Sequence, residues 1–416
     1  MERIVRIERL VHGGDGLARD EGRVVFVPLV APGDLARVRL GEAQGGALHA
    51  ELVELLEPGP ARVVPACPLV GQCGGCDRQQ LSLDGQLAAK EEAVADALER
   101  LGGLGLGSLR PIVPSPRPTR YRRRLRAHLA GDGWGFRERA SHRVVRTSAC
   151  LLVEEEVERF AHLVAPLLKK LGLRPESFAL DVVDGRGAAH LALLEKPAPA
   201  VQAKAAKLLS LVRNLRGVVL TGPQSAPVTV GDPVLIDLQH RRLRVRPDLF
   251  AQANRLGARL VAEHVAQSVA PGAHVLELFA GAGTLTLHLA AQAGSLVATE
   301  GEGPALSLLR ASLAENGHPA RLIGGPARRV LLGLAAENAQ FDHLVLDPPR
   351  AGAKEALEAI GKLAPQRITY VSCDPATFAR DAAALVQGGY RLDRTTPYDL
   401  FPHTHHVELV AELSRG

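Results

Sequence analysis

From residue 247 onwards the chain keeps one rhythm: short apolar runs, HVLELF, SLVATE, HLVLDPP and RITYVSC, separated by helical stretches such as residues 284–292 and 303–316. Strands that alternate with helices pair in parallel, because each helix carries the chain back over the sheet to start the next strand in the same direction. The expected product is a doubly wound, Rossmann-like α/β sheet, whose ligands sit outside the carboxyl ends of its strands. The residues just after each run are therefore the candidates for chemistry.

The remainder reads differently. Residues 1–57 contain VRIERLV, the turn HGGDG, RVVFVPL, the turn APGD, LARVRLG and HAELVELLE, the hairpin spacing of a small β-barrel. Residues 58–246 are mixed α+β: a cysteine cluster, an Ala-rich helix over 86–101, a Pro/Gly-rich exposed connection over 102–118, an arginine stretch, and strand-like runs such as SFALDVV and AHLALLE. With 416 residues, 46% hydrophobic and 23% charged, there is material for packed cores in two or three domains of about 150 residues each. The expected division is 1–57, 58–246 and 247–416. No apolar run nears the roughly 18 residues that span a bilayer, and the start, MERIVRIERL, is charged where a signal peptide is apolar. Five cysteines are too few for a disulfide scaffold. A soluble, cytoplasmic, monomeric protein with no membrane partner is expected.

The net charge of +5 demands no polyanionic partner by itself, but its distribution is uneven. Eleven arginines between Arg110 and Arg146 stand against Asp132 and Glu138, a local +9 that leaves −4 elsewhere. Two readings stay open: a solvated arginine face, or a phosphate-binding patch that uses the bidentate guanidinium fork. Aromatic residues, at 3%, are too scarce for a broad base-stacking platform.

HVLELFAGAGTLTLHLA is a strand, a glycine turn and a helix, with Glu277 near the strand end and Gly281 and Gly283 in the turn. Such a turn alone is a weak signal. Glu300, which ends the next strand about twenty residues on, is placed to accept hydrogen bonds from ribose hydroxyls. A nucleotide is implied, and the missing third glycine favours S-adenosylmethionine over a dinucleotide.

Asp347-Pro348-Pro349-Arg350 follows a strand, and the prolines aim Asp347 into the crevice. Alone, DPP suggests methylation of a planar amine. Cys373, in VSCDP at the end of the next strand, changes that reading. An amine needs no protein nucleophile, whereas carbon 5 of a pyrimidine gains nucleophilicity only when a thiolate adds to carbon 6. An inert buried cysteine is the competing reading. Carbon methylation also needs a base to remove the carbon 5 proton, and FPHTHHVE offers His403, His405, His406 and Glu408.

Cys67, Cys73 and Cys76 in CPLVGQCGGC, with Cys150 far along the chain, form a potential four-thiolate set. Three clustered cysteines and a distant fourth lean towards a 4Fe-4S cluster over structural zinc.

In order along the chain, CPLVGQCGGC, PDLFAQAN, ELFAGAGTLTL, DPPRAG, VSCDPATFARD and FPHTHHVE resemble the uracil-5 RNA methyltransferases. The resemblance covers almost the whole chain and is strongest to the ribosomal RNA branch with an iron-sulfur cluster and an N-terminal, OB-like TRAM barrel. It implies a class I methyltransferase domain and methylation of a uridine, with 23S rRNA favoured and tRNA open. It also implies Cys373 as nucleophile, Glu408 as base, and Cys67, Cys73, Cys76 and Cys150 as 4Fe-4S ligands. Gln252, Phe279, Thr284, Glu300 and Asp347 fall where the family binds S-adenosylmethionine, with Gln252 and Asp347 also touching the uracil. Three positions depart from the family: Pro326 replaces a polar residue at the adenine, Thr284 stands where Asn is frequent, and Asp374 replaces Asn beside the cysteine. A carboxylate there is expected to raise the thiol pKa. An amino-group methyltransferase and a non-catalytic iron-sulfur RNA-binding protein are the rival readings.

Overall fold

The computed structural model describes residues 1–301 and 303–416. Its first sheet has six strands in the order Glu2–Arg6, Leu35–Gln44, Ala47–Glu57, Arg23–Val27, Gly16–Asp20, Arg9–Leu10. Side chains alternate across it as the two-residue strand period requires: Ala36 and Val38 are buried with Val5, Val25 and Val27, while Arg37 and Arg39 ion-pair with Glu54 and Glu51. Buried Asp34 fastens the barrel to the chain that leaves it, accepting from Ala31 N (2.6 Å), Gly59 N (2.7 Å) and Arg62 Nε (3.0 Å).

The middle sheet is ordered Val228–Gly231, Leu215–Thr221, Arg186–Ala192, Ser177–Val183, Arg124–Ala130, Gly133–Arg137, Val144–Thr147. The helices Glu155–Lys170 and Pro199–Leu211 close its core around Trp134, Phe160, Phe178 and Leu208. Only the neighbours Arg186–Ala192 and Leu215–Thr221, joined by the second helix, run parallel.

The third sheet is ordered Arg321–Gly324, Ser295–Glu300, His274–Leu278, His343–Leu346, Arg367–Ser372, Glu408–Arg415, Tyr390–Tyr398. Every neighbouring pair from Arg321–Gly324 to Arg367–Ser372 is parallel, and the two terminal strands join antiparallel. The expected rhythm of strands and helices is thus present. The order reverses between His274–Leu278 and His343–Leu346, which opens a crevice at their carboxyl ends.

Packing does not follow the boundary expected at residue 246. The Ala-rich helix runs over Leu83–Asp96 and continues as a π-helical turn, Ala97–Leu101. Its Val94 and Leu98 share one core with Leu276 and Leu344 of the third sheet and Phe378 of the helix Pro375–Gln387 that covers it. The hairpin Leu235–Asp237/Leu243–Val245 likewise packs Leu243 and Val245 against Ala282 and Leu309. Both segments lie before residue 247 in the chain, yet their apolar faces are covered by the last unit. Among the described residues no helix is long and apolar enough to cross a membrane.

Candidate active site

The strand His274–Leu278 ends in a backbone reversal at Phe279 (φ 63°), a left-handed conformation costly for a bulky side chain. Gly281 (φ 57°) and Gly283 (φ 107°) follow, and a Cβ on Gly283 would lie 2.7 Å from Leu309 Cδ1. Gly281 N donates to Glu300 Oε2 (2.7 Å), so Glu300 holds the turn it was expected to share with a nucleotide. Thr284 is half-buried in the same turn, and the helix expected over 284–292 is trimmed to Thr286–Ala290. Gly325 N donates to Glu300 O (3.0 Å), which puts Pro326 beside the same strand end, with neither an N–H nor a polar side chain to offer.

Beneath this loop Glu277 is 1% exposed, and among the described residues neither of its oxygens has a partner at good hydrogen-bond geometry, Thr286 being the nearby group that opposes the effect of burial. Burial first, then Asp347 and Glu300, pushes its pKa up to about 8. The folded protein therefore keeps a proton that the unfolded chain sheds near the ordinary 4.5, and stability falls as pH rises between these values. Glu277→Gln is expected to match the parent in melting temperature near pH 4. It should gain on it progressively up to pH 8, by on the order of 4 kcal/mol. Parallel melting curves against pH would refute this if the gap stayed constant.

Asp347 follows the neighbouring strand, its N–H directed at Leu278 O (3.4 Å). Cys373 follows the next, Arg367–Ser372. Ser372 pairs with Leu409 in the antiparallel ladder, so Cys373, one residue on, stands opposite Glu408, one residue back. Glu408 is 2% exposed. Burial and then Asp347 raise its pKa well above the carboxylate range, and burial pushes Asp347 up to about 7. The half-buried Cys373 thiol is pushed up to about 11, by burial first, then by Glu408 and Asp347, with Arg350 opposing. Asp374 raises it as well, in the expected direction, after Glu408 and Asp347. One oxygen of Asp374 caps the helix Pro375–Gln387, accepting from Ala376 N (3.1 Å) and Thr377 N (3.0 Å).

The histidines of FPHTHHVE turn elsewhere. His403 N donates to Gln86 Oε1 (2.7 Å), His405 Nδ1 lies 2.5 Å from Asp77 Oδ2, and His406 Nδ1 accepts from Arg350 Nη2 (3.2 Å). Residues 399–406 are gripped by the middle of the chain. Lys90 Nζ donates to Asp399 Oδ1 (2.5 Å), Tyr121 Oη to Pro402 O (3.1 Å), and Asp77 N and Arg78 N to His403 O. Gln252 lies in the loop before the helix Arg255–Ser268, which Asn254 caps. The loop is held from the middle unit, where Arg123 Nε donates to Gln252 O (3.3 Å) and Arg123 N to Ala253 O (3.0 Å). Beside it Phe250 is 76% exposed. Its signal in the sequence was an aromatic in a polar motif.

Seven arginines of the stretch are ion-paired, but only Arg123 and Arg124 are drawn into the interior, while Arg110, Arg117, Arg126, Arg143 and Arg146 stay exposed. Arg123 and Arg124 pair with Asp181, Arg120 with Glu158, Arg137 with Glu176, Arg139 with Asp15, Arg143 with Glu138 and Arg146 with Asp132. Arg117, Arg120 and Arg255 line an open cavity of about 440 Å³ that reaches Asn254.

Cys67, Cys73, Cys76 and Cys150, all half-buried, line one cavity of about 150 Å³ with Leu69, Val70 and Phe136. Among the described residues no group of three or more His, Cys, Asp or Glu side chains is placed to hold a metal ion. Burial pushes Cys76 up to about 12 and raises Cys73 and Cys150, and the remaining cysteines of the set add to the rise.

A seven-stranded sheet with this order, a glycine turn after its first strand and an acidic residue ending its second defines a class I methyltransferase fold. Family models described as TRAM domain and tRNA (uracil-5-)-methyltransferase match residues 2–53 and 326–415. A 23S rRNA (uracil(1939)-C(5))-methyltransferase of Alkalilimnicola ehrlichii is 33% identical over 429 residues, covering 99% of this chain and 96% of the relative. An RNA methyltransferase of Gloeobacter violaceus is 33% identical over 447 residues, with 99% and 96% covered. The crystal structure of Pyrococcus abyssi tRNA (uracil-54, C5)-methyltransferase with S-adenosyl-L-homocysteine superposes with a TM-score of 0.76 at 24% identity, over 98% of this chain and 99% of that one. The chain belongs to the uracil-5 RNA methyltransferases, which move a methyl group from S-adenosylmethionine to carbon 5 of a uridine.

Proposed function

We propose that this enzyme methylates carbon 5 of one uridine in 23S rRNA through a covalent adduct with Cys373, as a cytoplasmic monomer. The observation that supports the reading is the ladder pair Ser372–Leu409, just beyond which Cys373 and Glu408 follow, with Asp347 after the strand alongside and both carboxylates acting on the thiol. The Cys373 thiolate adds to carbon 6 of a uridine taken out of its stack, and the electron pair moves to carbon 5 and the O4 enolate. S-adenosylmethionine supplies the electrophilic methyl group. Glu408 then removes the carbon 5 proton, and the carbon 6–sulfur bond breaks to release the thiolate. A carboxylate buried as Glu408 is makes a stronger base than an exposed one.

The crevice suits its cofactor electrostatically. Glu300 and the partly ionised Asp347 lie around the glycine turn, and their negative charge favours a ligand with a sulfonium and an ammonium group. Phe279, Thr284 and Glu300 line the cofactor side, and Gln252 and Asp347 the side shared with the uracil. Exposed Phe250 offers a face for a neighbouring base. The ribosomal target rests on the relative from Alkalilimnicola, which matches along nearly the whole length.

The four-cysteine cavity fits a 4Fe-4S cluster held by Cys67, Cys73, Cys76 and Cys150. All four cysteines line this one cavity, and cationic iron would relieve the repulsion among buried thiolates. Its role is structural: ligation at Cys76 orders Asp77 and Arg78, which hold His403 and His405 beside the active site. Cys150→Ser is expected to lower bound iron from about four atoms per chain to below one. Iron and sulfide assays on protein purified without oxygen check this. Full iron retention would remove Cys150 from the set.

Tritium release from RNA labelled at uracil carbon 5, together with mass mapping of methyluridine in 23S rRNA and tRNA, tests the main reading. Methyl transfer without tritium release would mean an amine target, and a product confined to tRNA would move the substrate.

A further inference from the structure

The turn His12-Gly13-Gly14-Asp15 of the N-terminal barrel does more than reverse the chain. Gly13 (φ 106°) and Gly14 (φ 95°) take left-handed conformations, and a Cβ on Gly14 would lie 2.8 Å from Asp77 Oδ2. The turn thus presses against the segment that follows the cysteine cluster. Asp15 Oδ1 accepts from Arg139 Nη2 (2.5 Å) and anchors one side. On the other, His12 Nε2 lies 3.5 Å from Asp374 Oδ2, and the His12 ring meets the His405 ring edge-on, centroids 5.7 Å apart. Asp374 can only accept, so a hydrogen bond across this contact requires the proton on Nε2.

Asp374 is therefore held at both ends. Its Oδ1 caps the helix Pro375–Gln387, and its Oδ2 meets the barrel's histidine. Both partners draw the carboxylate's negative charge away from the neighbouring Cys373. The His12 contact leads the causes that lower the Asp374 pKa, and Asp374 adds least to the rise at Cys373.

We propose that His12 is a positioning residue for the reaction: by holding Asp374 Oδ2 it sets the loop carrying Cys373 and offsets the charge beside the sulfur, so the nucleophile is complete only with the barrel docked. This rests on Cys373 being the nucleophile, as argued above. The barrel, matched by an RNA-binding-type module, is thereby also part of the reactive centre's support.

The test reads the thiol directly. Iodoacetamide labelling of the cluster-loaded enzyme is followed by mass analysis of the Cys373 peptide across pH 6–10, beside steady-state kinetics on RNA. In His12→Ala, labelling is expected to slow about 3- to 10-fold at each pH along the rising limb. The kcat should fall with it and the KM for RNA stay within about twofold. His12→Gln, which can still present an N–H to Asp374, is expected to restore most of both. In an Asp374→Asn background, where the charge is gone and a capping oxygen remains, His12→Ala is expected to be nearly silent.

The other charged groups facing this corner are unchanged in all variants: Glu408, Asp347 and Arg350 around Cys373, Asp77 with His405, His406 against Arg350, and Asp15 with Arg139. Parent-like labelling in His12→Ala, a loss confined to KM, or an equal loss in the Asp374→Asn background would each overturn the proposal. Its failure would leave the covalent route standing, since loss of Cys373 itself tests that route separately.

Discussion

Cys373→Ala is expected to make neither methylated RNA nor an RNA–protein adduct, a loss of more than about 10⁴-fold, because no other group can make carbon 5 nucleophilic. Glu408→Gln is expected to behave oppositely in one respect. Addition and methyl transfer remain open to it, but elimination slows by about 10²- to 10⁴-fold, so RNA accumulates on Cys373 and runs with the protein on a denaturing gel. The geometry behind the pair is the ladder register that sets Cys373 opposite Glu408. The pH dependence follows from the same burial. The reactive forms are the thiolate, scarce in the free enzyme because the thiol is pushed up to about 11, and the ionised Glu408. Both appear as protons leave, so kcat/KM is expected to climb from pH 6 to 9. Normal turnover by Cys373→Ala would end the covalent reading.

Asp181→Ala is expected to cost about 3–5 kcal/mol, the penalty for stranding a buried charge. Asp181 is fully buried and accepts from Arg123 Nη1 (2.6 Å) and Arg124 Nη2 (2.6 Å). Without it the Arg123 guanidinium, 2% exposed, has no counter-ion within bonding reach. Arg123 also grips the backbone at Gln252 and Ala253, so a rise in KM is expected beside the loss of stability. The single tryptophan, Trp134, is buried in this unit's core and reports its unfolding in urea. Asp181→Asn, which keeps shape and hydrogen-bond capacity but not charge, is expected to lose less. A urea midpoint for Asp181→Ala equal to that of the parent would show that the arginines find another partner.

The parts of the site legible in the chain were those whose chemistry is local. A glycine turn after an apolar run, Asp347 before two prolines, and a cysteine ending a strand each carry their meaning within a few residues. Gln252 was legible from its motif, but nothing around it revealed that Arg123 of another unit holds its loop. His403, His405 and His406 stood level with Glu408 as bases by type and spacing. Only the sheet register and the contacts to Gln86, Asp77 and Arg350 separate them. The arginine stretch showed its charge but not its partners, which lie on other elements of the folded protein. His12, in a turn read for its glycines alone, left no local trace of the contact it makes.

What the amino-acid sequence determined by itself was the set of local geometries: strand and helix periods, left-handed turns at glycine, proline-directed strand ends, and the kinds of groups at those ends. These depend on φ/ψ preference and hydrophobic period, which act over a few residues. Tertiary structure alone decided which groups face one another: Glu408 with Cys373, His12 with Asp374, and the helix Leu83–Asp96 with the last sheet's core. Such pairings join residues far apart in the chain. They are selected by the burial of whole apolar faces and by the cost of leaving a buried charge without a partner, and both costs exist only once the units pack together.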